Sequence, residues 1–206
     1  MFTINEIVEN TIIVEKSKFI TTLIPVKNIE EVNRNLELIR KKYFDATHNC
    51  YAYIIGSNQQ LKKCSDDGEP QKTAGQPMMS VLENKELTNI LAVTTRYFGG
   101  TLLGTGGLVR AYSNSVIEAI NSSTIYEITN LQKVIISIDY TSYNLLNEEL
   151  EKFDILNQRF SNTIDITLGI PLELVDKFKT LFNNVTRGKG LFILDNIYQG
   201  IRKTRF

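Results

Sequence analysis

Tryptophan is absent from this 206-residue chain, histidine occurs once, cysteine twice and proline four times, and the formal net charge is zero. Each scarcity excludes something. Cys50 and Cys64 are too few to staple a secreted scaffold, so free thiols in a reducing compartment are expected. Together with His48 they lack both the paired spacing and the fourth ligand of a structural zinc site, so neither a metal nor a cofactor is expected. The 23 basic residues are offset by 23 acidic ones. That removes the bulk positive field of many nucleic-acid binders, and any such binding must come from a local patch. No apolar run approaches the roughly 18 residues of a membrane span, and Glu6 and Glu9 break the N-terminus where a signal peptide needs an apolar core. A cytoplasmic, monomeric protein without membrane contact is expected.

What is present is enough for real cores: 42% of the residues are hydrophobic, sufficient for one large or two small domains. Strands are predicted at Thr11 to Val14 and Phe19 to Val26. A helix from Asn28 to about Lys42 follows, with Asn28 as N-cap, Glu30 and Glu31 in its first turn, and Val32, Leu36 and Ile39 as its apolar stripe. Further strands are expected at Cys50 to Ile55 and Leu61 to Cys64, then a loop over residues 65 to 77, a short helix from Met78 to Asn84 and a buried strand from Ile90 to Val93. Asn121 to Thr124 opens the best linker, placed at 121 to 130, between domains at 1–124 and 130–206. Beyond it the pattern reads βαββαβ: a strand from Leu131, a helix from Ser142 to Phe153, strands at Ile155 to Phe160 and Ile164 to Ile170, a helix opened by Pro171, and a last strand from Leu191 to Tyr198. Two βαβ halves of this kind suggest a ferredoxin-like α+β domain.

The unusual chemistry lies between the buried strand and a helix expected over Leu108 to Ile120. Gly99, Gly100, Gly104, Gly106 and Gly107 place five glycines in nine positions, a backbone suited to positive φ or to close approach. With Thr105 as N-cap, the amides of Gly106, Gly107 and Leu108 would face outward at the positive end of a helix dipole, where a phosphate or carboxylate fits. A P-loop is excluded because Thr105-Gly106 follows Gly104 where Lys-Ser/Thr is required, and a dinucleotide fingerprint fails for want of its third glycine. Arg96, Tyr97 and Arg110 flank the loop. A second loop, Ser65-Asp66-Asp67-Gly68-Glu69, gathers three carboxylates but lacks the alternation of a calcium loop. Pairing of Asp66, Asp67 or Glu69 with Arg96 or Arg110 would join the two loops into one site. His48 and Cys50 share a strand face without an orienting third group, which is weak support for a nucleophile pair. The only basic cluster is the tail, Arg202-Lys203-Thr204-Arg205, with Arg187 and Lys189 upstream.

Four ordered motifs carry a resemblance: Asp45-Ala46-Thr47-His48-Asn49-Cys50-Tyr51-Ala52-Tyr53, Ser65-Asp66-Asp67-Gly68-Glu69-Pro70, Thr73-Ala74-Gly75, and Arg96 to Tyr112, with Ser17-Lys18-Phe19 also fitting. Together they resemble the IMPACT/YigZ family over essentially the full chain. The resemblance implies an N-terminal domain with the ribosomal protein S-five domain-2-like fold, as in the fourth domain of elongation factor G, and a ferredoxin-like C-terminal domain like that factor's fifth. It also implies a bacterial-type member. Eukaryotic relatives carry an additional RWD domain and dampen the general amino-acid control kinase. Lys72 stands where the family has glycine or a small residue, and Gln76 where a basic residue is common.

The leading expectation is a non-catalytic RNA- or ribosome-binding factor, a regulator of translation. Its surface would be built from His48, Asp66, Asp67, Glu69, Thr73, Gly75, Arg96, Tyr97, Gly99, Gly100, Gly104, Gly106, Gly107 and Arg110, with Tyr97 or Phe98 to stack on a base. The alternatives are an enzyme acting on a phosphorylated or acidic small molecule through the same cleft, and a protein-binding module.

Overall fold

A computed structural model describes the backbone of residues 1–203 and side chains through Arg202; Thr204 and Arg205 of the basic tail lie outside the described residues. The chain divides into two mixed α/β units, Met1–Glu127 and Ile128–Arg202.

The first unit contains β1 (Phe2–Ile4), β2 (Val8–Val14), β3 (Ser17–Pro25), α1 (Ile29–Lys42), β4 (His48–Ile55), β5 (Leu61–Ser65), α2 (Gly75–Asn84), β6 (Ile90–Tyr97), α3 (Gly104–Asn121) and the start of β7 (Ile125–Ile138). Its main sheet runs β2-β3-β6-β4-β5 with every neighbour antiparallel. The central strands are apolar on both faces, as a sheet covered on both sides requires. Phe19, Leu23, Cys50, Ala52, Ile54, Ile90 and Ala92 pack with Met78, Leu82, Tyr112 and Val116 of α2 and α3. Their alternates Ile20, Ile24, Tyr53, Leu91 and Val93 pack under Val32, Leu36 and Ile39 of α1. Asn28 caps α1 by accepting the Glu31 amide at 2.9 Å, as its sequence predicts.

Boundaries move where polar side chains extend an element. β6 continues past Val93 through Thr94, Thr95 and Arg96, all buried, because each finds a partner: Thr94 shares a 2.7 Å hydrogen bond with Thr21, and Thr95 donates to Asn49 at 2.7 Å. α2 begins at Gly75 instead of Met78, and α3 at Gly104 instead of Leu108. The expected linker is a strand: only Ser122 to Thr124 turn, and β7 starts at Ile125, pairing with β1 through Ile4↔Ile125. The division between the units therefore falls inside β7.

In the second unit the rest of β7 is followed by α4 (Tyr140–Leu150), β8 (Asp154–Phe160), β9 (Ile164–Pro171), a 3₁₀ turn (Leu172–Leu174), α5 (Val175–Thr186) and β10 (Leu191–Lys203). The sheet order is β10-β7-β9-β8. Val134, Ile136, Ile166 and Leu168 meet Leu146, Phe178 and Phe182 of the helices in one core. Asp139, not Ser142, starts α4 by accepting the Ser142 amide at 2.7 Å. Pro171 opens a 3₁₀ turn before the helix proper. None of the described helices is long and apolar enough to cross a membrane.

Beneath α3, Thr21 also shares a 2.6 Å hydrogen bond with Ser115, linking helix to sheet through three buried hydroxyls. Thr21→Val keeps the shape but strands two hydroxyls, so a loss of about 1–3 kcal/mol is expected in urea unfolding followed by circular dichroism. An unchanged midpoint would show that the chain of hydroxyls adds nothing.

Candidate functional site

The strand register makes the site. His48 lies directly opposite Arg96 across β4 and β6, and both project to the face covered by α3. Side chains on that face recur every second residue, so Arg96 falls in line with Thr94, and Phe19 of β3 sits beside it. A cleft of about 450 Å³ opens here, lined by Thr47, His48, Glu69, Arg96, Phe98 and the start of α3 from Leu102 to Thr105.

The three carboxylates of the acidic loop divide their work. Asp66 turns away from the cleft and accepts the amides of Lys72, Ala74 and Gly75 at 2.8, 3.0 and 2.8 Å, capping α2, which has no side-chain cap of its own. Asp67 accepts the Asn49 amide at 2.8 Å and Arg40 at 3.4 Å. Glu69 alone reaches the cleft. Its Oε1 accepts from Arg96 at 2.7 Å and from the Tyr112 hydroxyl at 2.8 Å. The expected joining of the two loops is thus made by Glu69 and Arg96, with side chains 3% and 7% exposed. Phe19 and Phe98 flank the guanidinium with centroids at 5.4 and 5.6 Å, and Arg96 Nε is buried without a partner among the described residues.

His48 is held by its other nitrogen. Nδ1 lies 2.8 Å from the Asp67 carbonyl, which can only accept, so Nδ1 carries a proton and Nε2 is turned toward the cleft. Nε2 is 3.9 Å from Glu69 Oε2, beyond hydrogen-bond reach. Behind this group, the Cys50 thiol donates to the Asp66 carbonyl at 2.9 Å and lies 3.3 Å from the Tyr112 hydroxyl. Burial, followed by the nearby carboxylates, pushes this thiol up to about 12. Burial likewise raises Tyr112, with Cys50 and Glu69 adding to the rise. Such a thiol is no nucleophile at neutral pH. No group of three or more potential metal-ligating side chains assembles among the described residues.

Other expected site residues stand apart. Arg110 is exposed and lines not the cleft but an adjoining groove of about 790 Å³, with Val14, Glu15 and Asn114, that shares only Leu102 and Leu103 with it. Tyr97 packs on the α1 side of the sheet and donates to Asp45 at 2.8 Å, leaving Phe98 as the cleft's aromatic. Thr73 donates to the Pro70 carbonyl at 2.6 Å within its loop. Gly99 serves close approach, since a Cβ there would meet the Lys16 carbonyl carbon at 2.1 Å, and Gly75 does the same against Ser65 at 2.8 Å. Gly100 and Gly104 take φ of +83° and +67°. Thr105 is not the N-cap. The helix starts one residue before it, so the open amides are those of about Leu103 to Gly106 and not of Gly107. Lys72 sits at φ +61°, the conformation that favours the family's glycine. The Tyr112 hydroxyl, which donates to Glu69, went unrecognised because Tyr112 reads as one residue of the helix's apolar face.

Because Glu69 is buried, Arg96→Ala leaves a carboxylate unpaired and should cost about 3–5 kcal/mol, while Arg96→Met combined with Glu69→Gln recovers most of that loss. Equal losses for the single and double variants in urea unfolding would contradict the pairing. A pH effect follows from Cys50. An unfolded thiol titrates near 8.5, whereas the folded one keeps its proton to about 12, so above about pH 8.5 the unfolded state binds fewer protons. Stability should fall as pH rises from there through 12, less steeply in Cys50→Ala. Parallel pH curves would remove Cys50 as the cause.

Comparison with known proteins agrees with the motifs that meet at this cleft. Residues 15–120 match the Impact N-terminal domain and residues 136–189 a domain of unknown function, DUF1949. The IMPACT family member YvyE of Bacillus subtilis is 38% identical over 190 residues, spanning 91% of this chain and 88% of that protein. Its Escherichia coli counterpart YigZ is 34% identical over 180 residues, spanning 85% and 88%. A crystal structure of a hypothetical protein superposes with a TM-score of 0.61 at 30% identity, covering 95% of this chain and 97% of that one. With likeness of this depth running through both units, the chain belongs to the IMPACT family.

Proposed function

We propose that the chain is a non-catalytic factor of translation that binds RNA, free or in the ribosome, by seating an unpaired nucleotide in the cleft of the first unit. Residues 1–124 and 130–206 would be its two domains, with the S-five-like and ferredoxin-like folds that the family resemblance implies. For the second, the strand order β10-β7-β9-β8 supports that reading. Family membership supports the translational role. The observation that carries the binding reading is the pairing of Phe98, 47% exposed on the cleft wall, with the open amides at the start of α3 on the same cleft. A ring that offers its face suits a base, and a helix start suits a phosphate.

The ion pair changes how such binding must behave. Arg96 is already neutralised by Glu69 at 2.7 Å and Arg110 lies elsewhere, so few phosphates are neutralised and little counterion is released. A single-stranded oligonucleotide should bind with a log–log salt slope of about −0.7, one phosphate's worth. Phe98→Ala should weaken binding about tenfold or more through lost stacking, with the fold intact by circular dichroism. Binding unaffected by Phe98→Ala, or a slope several times steeper, would place the RNA on another surface.

A second reading, an enzyme acting on a phosphorylated or acidic small molecule, draws on one observation. His48 lines the cleft with its Nδ1 held by the Asp67 carbonyl at 2.8 Å, which leaves Nε2 toward the cleft, as an acid–base group needs. Asp66 and Asp67 are spent on backbone amides, so of the acidic loop only Glu69 could join it.

A further inference from the structure

We propose that this cleft anchors a terminal phosphate, so that the RNA enters by its end, an inference that rests on the RNA-binding reading above. Arg96 carries the observation. Its side chain is 7% exposed and lines the cleft. One terminal nitrogen donates to Glu69 at 2.7 Å and the other to Ser17 Oγ at 3.4 Å, whereas Nε is buried with no acceptor among the described residues. A buried donor without an acceptor is costly, and the other two nitrogens of this guanidinium have theirs, so the third calls for an oxygen from outside the chain. A second set of donors stands on the same cleft. Leu103, Gly104 and Thr105 of its wall begin α3, which has no side-chain cap and no acidic residue in its first turn, unlike α1 with its Asn28 cap, Glu30 and Glu31. A Cβ at Gly104 or at Gly106 would meet nothing within 4 Å, so no neighbouring atom crowds that end of the helix.

An acceptor that serves a guanidinium N–H and helix amides together is an oxyanion. The Glu69 carboxylate does not bar it, because that charge is matched by Arg96 at 2.7 Å. Among oxyanions, phosphate has three oxygens to divide between donors arriving from β6 and from α3, where a carboxylate has two. Access decides between the end of an RNA and its backbone. A phosphodiester is tied at two oxygens, and both must lead the chain back out to solvent. A terminal phosphate is tied at one, so it can project past Phe98 toward a nitrogen shut off from bulk water. With the phosphate there, the ring of Phe98, 47% exposed, is left for the first base.

The test titrates the full chain, by isothermal calorimetry, with uridine heptanucleotides carrying a 5′-phosphate, a 3′-phosphate or hydroxyls at both ends. A phosphorylated end should bind about tenfold tighter than the hydroxyl form, the scale of a hydrogen bond to a charged group, and the two phosphorylated forms show which end is taken. Two variants locate the effect. Arg96→Lys keeps a cation for Glu69 but loses Nε. Gly106→Asp, at an open position without a positive φ, sets the chain's own carboxylate on the amides and favours the helix. Each should remove the advantage of the phosphate while the circular dichroism spectrum stays intact. Gly106→Asp leaves the ion pair untouched, so it decides the matter where Arg96→Lys does not fold. Equal affinity for all three oligonucleotides, still weakened in Phe98→Ala, overturns recognition of the end and leaves RNA binding standing. An advantage that survives in Gly106→Asp overturns the site as well. Failure of every oligonucleotide to bind removes both readings.

Discussion

The ion pair between Glu69 and Arg96 is the contact around which the first unit is arranged. It joins the acidic loop to the central strand β6, and through Tyr112 it joins both to α3. A buried pair of this kind contributes little net stability compared with an apolar substitute, because desolvation offsets the attraction. Its weight lies in geometry. A carboxylate that must meet a guanidinium and a phenol at one oxygen has few places to be, and the cleft inherits that precision. Stacking of the guanidinium between Phe19 and Phe98 fixes the remaining freedom of Arg96 and orients the ring that faces solvent.

Much of this was legible in the sequence. The cap and stripe of α1 and the alternation in the strands follow from residue type and spacing alone, and charge predicts that the acidic loop meets Arg96 or Arg110 without choosing between them; the fold chooses Arg96. What escaped was decided by partners distant in sequence. Thr94, Thr95 and Arg96 look like the end of an apolar strand until Thr21, Asn49 and Glu69 are placed beside them. The three carboxylates look equivalent in the chain, and only the fold sends Asp66 to cap a helix, Asp67 to Asn49 and Arg40, and Glu69 to the cleft. Parity along β6 separates Tyr97 from the cleft, and the turn after it returns Phe98.

The glycine-rich segment makes the same point. Composition shows that its backbone is special without showing why. In space the glycines separate by cause: Gly99 is pressed against Lys16, Gly100 and Gly104 need positive φ, and Gly106 has nothing within 4 Å of a prospective Cβ. Gly100 and Gly104 are as open as Gly106, so all three leave room for something from outside the chain, and of them Gly106 alone does so without a positive φ.

The carboxylate of Asp66, closed on the amides of three residues of its own loop and helix, has a kinetic consequence. The wall carrying Glu69 is ordered before anything enters, so capture involves no wait for a loop to form, and little entropy is lost in ordering one. Encounter should proceed at the speed of orientation and diffusion, and selectivity among occupants should then appear in how long each one stays.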